Sequence, residues 1–321
     1  MGFEGFRHAA AGDGMAMARV TRQLELRGVF ASAITPRRKG SQDADFSAAL
    51  DLLDFLAQGG VQAICVFGAT GEFIDYGFSE RQRIVYLGVK RSRVPLVAGV
   101  SHSTIAGALQ LADEAVHAGA DGLTVMPPFF YTYSQCEIEA FYRQFAREAG
   151  DAVPILLHNL PQATSKLEID TVRKLLDSGR FAGIKDSSGD WQYFEQLLAL
   201  KRERPFALFN GADSTAARAL REGADGIISA SACAVPELLA AMARQRGSAA
   251  LEDLNERLMQ FVAWVNRFPF PVAIKRAVEL RGQKAGPPLN PLAPQNLQAL
   301  DEFSKWFEAW LPPTLKAAAH A

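Results

Sequence analysis

The chain has 321 residues, with 34 Lys and Arg against 35 Asp and Glu. The near-cancellation of charge removes the electrostatic footprint of a binder of polyanionic nucleic acid or of an anionic membrane surface, and leaves a small molecule as the default partner. Cys65, Cys136 and Cys233 are odd in number, far apart and without a Cys-x-x-Cys pair, so neither a disulfide framework nor a zinc site is indicated, and a reducing cytoplasm is the simplest compartment.

Residues 1–24 read as a flexible, Gly/Ala-rich N-terminal extension. Glu4, Arg7, His8 and Asp13 interrupt it, so it makes a poor signal peptide, and Phe6 stands where the myristoylation pattern needs Ser or Thr. No apolar run reaches the roughly 18 residues that a membrane span requires.

From there on, short apolar runs alternate with longer segments of helical period, as in successive βα units around a parallel sheet. The predicted strands cover residues 28–35, 62–68, 95–100, 122–126, 154–158, 182–185, 206–210 and 226–230. Their apolar residues fall on both faces, as in Ala63-Ile64-Cys65-Val66-Phe67, which suits strands covered by helices outside and by packed side chains inside. Between them, Phe46, Ala49, Leu50, Leu53, Leu56 and Ala57 recur at helical spacing, and Trp191, Phe194, Leu197 and Leu198 do so later. The tetrapeptide Gly-Ala-Asp-Gly appears at 119–122 and 223–226, each time between a helix end and a strand start. Past the eighth strand, Leu251, Leu254, Leu258, Phe261, Val262 and Val265 mark one helix, residues 272–280 a second, and residues 294–310 a last one.

Eight strands predict a (β/α)₈ barrel of about 250 residues with a C-terminal helical extension. The domain boundaries expected are 25–234 for the barrel and 235–321 for its last helix and the helical segment. The alternative, an open doubly wound sheet, calls for a Gly-rich phosphate loop after the first strand, and Ser32-Ala33-Ile34-Thr35-Pro36 is not one. In a barrel the chemistry sits at the C-terminal ends of the strands.

At those ends stand five candidate groups. Lys185 closes the apolar run Phe181-Ala182-Gly183-Ile184, where burial lowers an ammonium pKa and frees an amine to attack a carbonyl; a salt-bridged structural lysine is the alternative. Gly68-Ala69-Thr70-Gly71-Glu72 follows strand two; its glycines let the backbone turn tightly and aim N–H groups at an anion, or make a plain turn. His158-Asn159-Leu160-Pro161 ends strand five and offers an imidazole as general base, or a packed histidine. His102, after strand three, is a weaker candidate for the same task, and Asp186-Ser187-Ser188-Gly189 reads as a helix N-cap region from which Ser187 can reach a ligand. No carboxylate stands at ligand spacing from either histidine, so no metal and no cofactor is expected.

Together with Val125-Met126-Pro127-Pro128-Phe129-Phe130, Gly183-Ile184-Lys185-Asp186, Asn210-Gly211-Ala212-Asp213 and Gly226-Ile227-Ile228-Ser229, these motifs resemble the dihydrodipicolinate synthase/N-acetylneuraminate lyase family from about residue 28 to 280. The resemblance implies a homotetramer built from dimers and a lysine Schiff base with pyruvate. It places Lys185 at the imine-forming lysine, Ala69, Thr70 and Gly71 in the loop that holds the pyruvate carboxylate, and Phe130, Gly211 and Ile228 against the substrate.

The same resemblance exposes departures. The synthases relay protons through a tyrosine, a threonine and a second tyrosine, where this chain has His158, Ala69 and Phe130, and an arginine for the second substrate's carboxylate is replaced by Ala163. Ala and Phe neither transfer protons nor pair an anion. The expectation is therefore a Schiff-base lyase or aldolase acting on a 2-oxo acid such as pyruvate with an aldehyde or its adduct, and not the synthase itself, with His158 as proton carrier. A 2-oxo acid dehydratase and a catalytically silent 2-oxo-acid-binding barrel are the alternatives.

Overall fold

In the computed structural model, which describes residues 23–321, each predicted apolar run becomes a strand. They are β1 (Gly28–Ser32), β2 (Ala63–Val66), β3 (Leu96–Gly99), β4 (Gly122–Val125), β5 (Ile155–Asn159), β6 (Gly183–Asp186), β7 (Ala207–Asn210) and β8 (Gly226–Ser229). All pair in parallel and in chain order, and β1 pairs with β8 to close the barrel. The extension read over residues 1–24 lies, but for its last two residues, outside the described part.

The outer layer consists of α1 (Phe46–Gln58), α2 (Phe78–Arg91), α3 (Ile105–Ala118), α4 (Gln135–Ala149), α5 (Ile169–Asp177), α6 (Trp191–Glu203), α7 (Ala216–Glu222) and α8 (Pro236–Arg244). The C-terminal segment adds α9 (Ala250–Val265), α10 (Val272–Leu280) and α11 (Pro294–His320). Among the described residues no helix is long and apolar enough to cross a membrane.

Inside the barrel, Phe30, Ala63, Cys65, Val97, Leu156, Ala207, Phe209 and Ile228 form one buried apolar cluster, with Leu24 and Leu26 packed against it. The Phe30 and Phe209 rings lie 4.7 Å apart. Because alternate residues of a strand face opposite sides, the next inward positions are His158, two beyond Leu156, and Lys185, two beyond Gly183. His158 and Lys185 are paired across the β5–β6 ladder. The apolar plug thus fills the barrel beneath His158 and Lys185, which stand beyond it at the C-terminal ends of β5 and β6.

The two Gly-Ala-Asp-Gly segments do the same work twice. Gly119 and Gly223, at φ 88° and 105°, cap α3 and α7 in the left-handed region, which costs a residue without Cβ least. Asp121 accepts the Leu96 N–H at 2.8 Å, and Asp225 accepts the Leu208 N–H at 2.7 Å. Each carboxylate thereby ties its own strand to the preceding one. Gly226 is pressed so closely on β1 that a Cβ would lie 2.0 Å from the Gly28 carbonyl oxygen.

The last helix runs ten residues past its predicted end, through Pro312 and Pro313. Each proline removes an N–H and costs roughly 3 kcal/mol in a helix interior, which is why the pair reads as a stop. The continuation is held by packing: Thr314 and Ala318 are buried, the Thr314 hydroxyl donates to the Trp310 carbonyl at 2.8 Å, and Arg244 donates to the Ala318 carbonyl at 3.5 Å. One turn earlier, Trp310 stacks on Phe261 of α9, centroids 5.7 Å apart.

Candidate active site

Lys185 ends β6 inside the barrel at 8 % exposure. Burial pulls its ammonium pKa below the ordinary lysine value, while Cys65 and Asp213 act in the opposite sense. Beside it His158 is 3 % exposed, and its pKa is held well below that of a free imidazole, first by burial and then by the positive charge of Lys185. His158 is therefore a neutral imidazole near pH 7. Its Nε2 lies 3.1 Å from Ser187 Oγ.

Above these groups opens a cavity of about 520 Å³. Six of the predicted site residues line it together: Ala69, Thr70, His158, Lys185, Gly211 and Ile228. Its far wall, which sequence reasoning did not find, is Val262 and Val265 of α9 with Ile274 of α10. Ser187 and Asp213 also face it. Gly211 is required by contact, since a Cβ there would meet Ser187 Oγ at 2.2 Å and Lys185 Cε at 2.7 Å.

Two predicted residues do not line the cavity. Gly71 sits behind the loop, where its carbonyl accepts the Thr35 hydroxyl at 2.8 Å and an added Cβ would come within 3.1 Å of the Ala33 carbonyl oxygen. Phe130 adopts φ 85°, is 87 % exposed and packs edge-on against Tyr131 at 4.9 Å. Its ring is thus on the surface and not among the residues that line the cavity. His102 also stays outside, its Nδ1 at 3.0 Å from Thr104 Oγ1 at the start of α3.

The Asp186–Gly189 segment was read as the cap of the following helix, but Asp190 caps α6 by accepting the Tyr193 N–H at 3.2 Å. Asp186 instead accepts from Asn159 Nδ2 at 2.7 Å and from Ser188 Oγ at 2.9 Å. Pointing outward from the barrel, it locks the ends of β5 and β6 and so fixes His158 and Lys185 relative to each other.

The Thr70 loop is anchored by a buried ion cluster. Glu72, at φ 50°, receives Lys275 Nζ at 3.0 Å, and Arg37 Nη2 lies 3.7 Å from the same oxygen. Lys275 also donates to the Pro287 carbonyl at 2.8 Å, and Arg37 pairs with Asp75 and lies over the Tyr76 ring at 4.6 Å. A non-glycine residue in the left-handed region costs about 1–3 kcal/mol, and these contacts hold it there. The signal available in the sequence was Lys275 on the apolar helix Val272-Ala273-Ile274, a lysine without water and so in need of a partner.

Fold and site together define a (β/α)₈ barrel of the lysine-at-the-mouth class, with a glycine-bounded loop facing the amine. A sequence profile of the dihydrodipicolinate synthetase family matches residues 25–310, and the chain belongs to that family. It is 32 % identical over 266 residues to a 4-hydroxy-tetrahydrodipicolinate synthase of Xylella fastidiosa, covering 81 % of this chain and 86 % of that one. A synthase of the same name from Methanothrix thermoacetophila is 29 % identical over 275 residues, 84 % of this chain and 92 % of the relative. Among solved structures, YagE, a prophage protein of E. coli in complex with pyruvate, superposes with a TM-score of 0.82 at 26 % identity, covering 88 % of this chain and 98 % of its own. The 4-hydroxy-tetrahydrodipicolinate synthase of Methylacidiphilum fumariolicum does so with 0.82 at 25 %, covering 91 % and 99 %.

Proposed function

We propose that the protein is a Schiff-base lyase or aldolase that takes pyruvate, or a close 2-oxo acid relative, on Lys185. The observation that carries the reading is the single buried amine at the floor of the cavity, below its ordinary pKa and beside the Thr70 loop. A neutral amine attacks the keto carbon, and water leaves to give an iminium. The Thr70 hydroxyl and the N–H groups of its loop receive the carboxylate, and the iminium then serves as electron sink for forming or breaking the adjacent carbon–carbon bond. His158, neutral and buried, takes up and returns the proton.

The second substrate differs from that of the synthases named among the relatives. Among the described residues, Lys185 is the only Lys or Arg whose side chain lines the cavity, and Ala163 offers nothing to a second carboxylate. With His158, Ala69 and Phe130 at the three relay positions, none of the three hydroxyls expected of a synthase relay is supplied there by this chain. An aldehyde without its own carboxylate fits such a lining better than an anionic one. Assembly as a homotetramer built from dimers belongs to the same reading. It is supported by Ile74, Phe130 and Tyr131, which are 70 %, 87 % and 68 % exposed and form the kind of surface that association buries. The three free cysteines suit a reducing cytoplasm.

The test is intact mass after borohydride reduction with saturating pyruvate. One reduced pyruvyl group is expected; an unmodified mass contradicts the reading. With aspartate semialdehyde as partner, condensation should be at least tenfold slower than in an ordinary synthase, and a rate within tenfold would restore the synthase assignment.

A further inference from the structure

Ser187 is a cavity side chain to which the chemistry of Lys185 and His158 gives no task. It stands two residues beyond Lys185, and its N–H donates to the Asn159 carbonyl at 2.8 Å, so its backbone is held by β5. Its hydroxyl oxygen is 3.1 Å from His158 Nε2. On its other side, the point a Cβ on Gly211 would occupy is 2.2 Å from that oxygen and 2.7 Å from Lys185 Cε. The hydroxyl is thus a close neighbour of the carbon that carries the reacting amine. His158 is 3 % exposed, whereas Ser187 is half-buried and lines the cavity.

We infer that Ser187 is the proton relay between the bound substrate and His158, standing in for the hydroxyls that Ala69 and Phe130 do not provide. The inference rests on the proposed iminium at Lys185. In the forward step the C–H bond of the pyruvate methyl group breaks, and its electrons form the carbon–carbon double bond of the enamine. The carbon–nitrogen π electrons return to the Lys185 nitrogen. The proton passes to Ser187 Oγ as the Ser187 hydroxyl proton passes to His158 Nε2, which becomes imidazolium with its other proton on Nδ1. When the enamine carbon attacks an aldehyde, the same pair returns the proton to the new alkoxide. No oxidant, metal or further reactant enters.

The enamine step needs no second substrate, so it can be measured with pyruvate alone. Proton NMR in deuterium oxide reads loss of the pyruvate methyl signal, and borohydride trapping of the same samples reads imine formation. Ser187→Ala should trap pyruvate to within twofold of wild type while exchanging methyl protons about 10²-fold more slowly, the lower end of what loss of an acid–base group costs. Ser187→Thr, which keeps a hydroxyl, should recover exchange to within tenfold of wild type. A hydroxyl that merely props up the histidine would slow exchange as well, so the solvent isotope effect decides: washout of methyl tritium should be slower in deuterium oxide than in water if the Ser187 hydroxyl proton moves in the same step, and equal washout in the two solvents overturns the relay. Ser187→Ala exchanging at the wild-type rate overturns the relay, as does a loss of trapping that parallels the loss of exchange, or a wild-type protein that traps but does not exchange. If wild type does not trap at all, it is the Lys185 chemistry that fails.

Discussion

Lys185 and Lys275 are both buried, at 8 % and 4 % exposure, and in both burial pulls the ammonium pKa down. Their surroundings differ. Lys275 donates to Glu72 at 3.0 Å and to the Pro287 carbonyl at 2.8 Å, so its charge is paired and its hydrogens are placed. At the barrel mouth, Lys185 has Cys65, whose thiol burial pushes up to about 12. It also feels the charge of Asp213, one oxygen of which accepts the Ser231 N–H at 2.9 Å. Desolvation alone therefore does not make a nucleophile. A buried amine becomes one where the fold withholds the carboxylate that would keep it protonated.

Exchanging each lysine for methionine should therefore give opposite signs. Lys275→Met leaves the buried Glu72 with only Arg37, 3.7 Å away, as counter-charge, and removing one partner of a buried pair costs up to about 3–5 kcal/mol. Urea unfolding should show that loss, along with weaker pyruvate trapping as the Thr70 loop comes free. A loss below about 1 kcal/mol would mean the cluster is not what holds the loop. Lys185→Met, by contrast, removes a desolvated amine, and unfolding free energy should hold or rise by about 1 kcal/mol while trapping disappears. A variant destabilised as much as Lys275→Met would erase the distinction.

Acid sharpens the same contrast through His158. Its folded pKa lies well below the free value, so as pH falls below about 6.5 the unfolded chain takes up a proton that the folded one refuses, and stability declines. One group contributes up to about 1.4 kcal/mol per pH unit in that window. His158→Phe should lose about 1 kcal/mol less than wild type between pH 7.5 and 5.5. Equal losses would mean that His158 is protonated in the fold and unfit as a base.

These contrasts also mark what the chain discloses before folding. All eight strands and the position of Lys185 were legible, because inward and outward faces are both apolar and a lysine ending such a run stands out. The Glu72–Lys275 pair was not, since its partners are 203 residues apart and only barrel closure and the docking of α10 bring them together. Nor was the orientation of Phe130: a family motif gives it a position, but φ 85° decides where the ring points. The Pro312–Pro313 pair reads locally as a stop, and tertiary contacts at Thr314 and Ala318 override it. Ser187 was visible as a hydroxyl near the mouth, while its 3.1 Å approach to His158 depends on the β5–β6 register.

A further effect is expected at the exposed rim. Ala163→Arg introduces a cation on the partner-substrate side without touching either buried lysine, and should lower KM for a carboxylate-bearing aldehyde by about tenfold, the value of one charge-assisted contact. Trapping at Lys185 should not change. An equal gain for uncharged aldehydes would show that the rim does not read the charge of the second substrate.

Surroundings, not burial, select the reactive amine. Peptide mapping after pyruvate and borohydride tests it directly, because both buried lysines are scored in one sample. The reduced pyruvyl group should lie on the peptide containing Lys185, with none on that containing Lys275 and none on either in Lys185→Ala. Label on Lys275, or label that persists in Lys185→Ala, would contradict it.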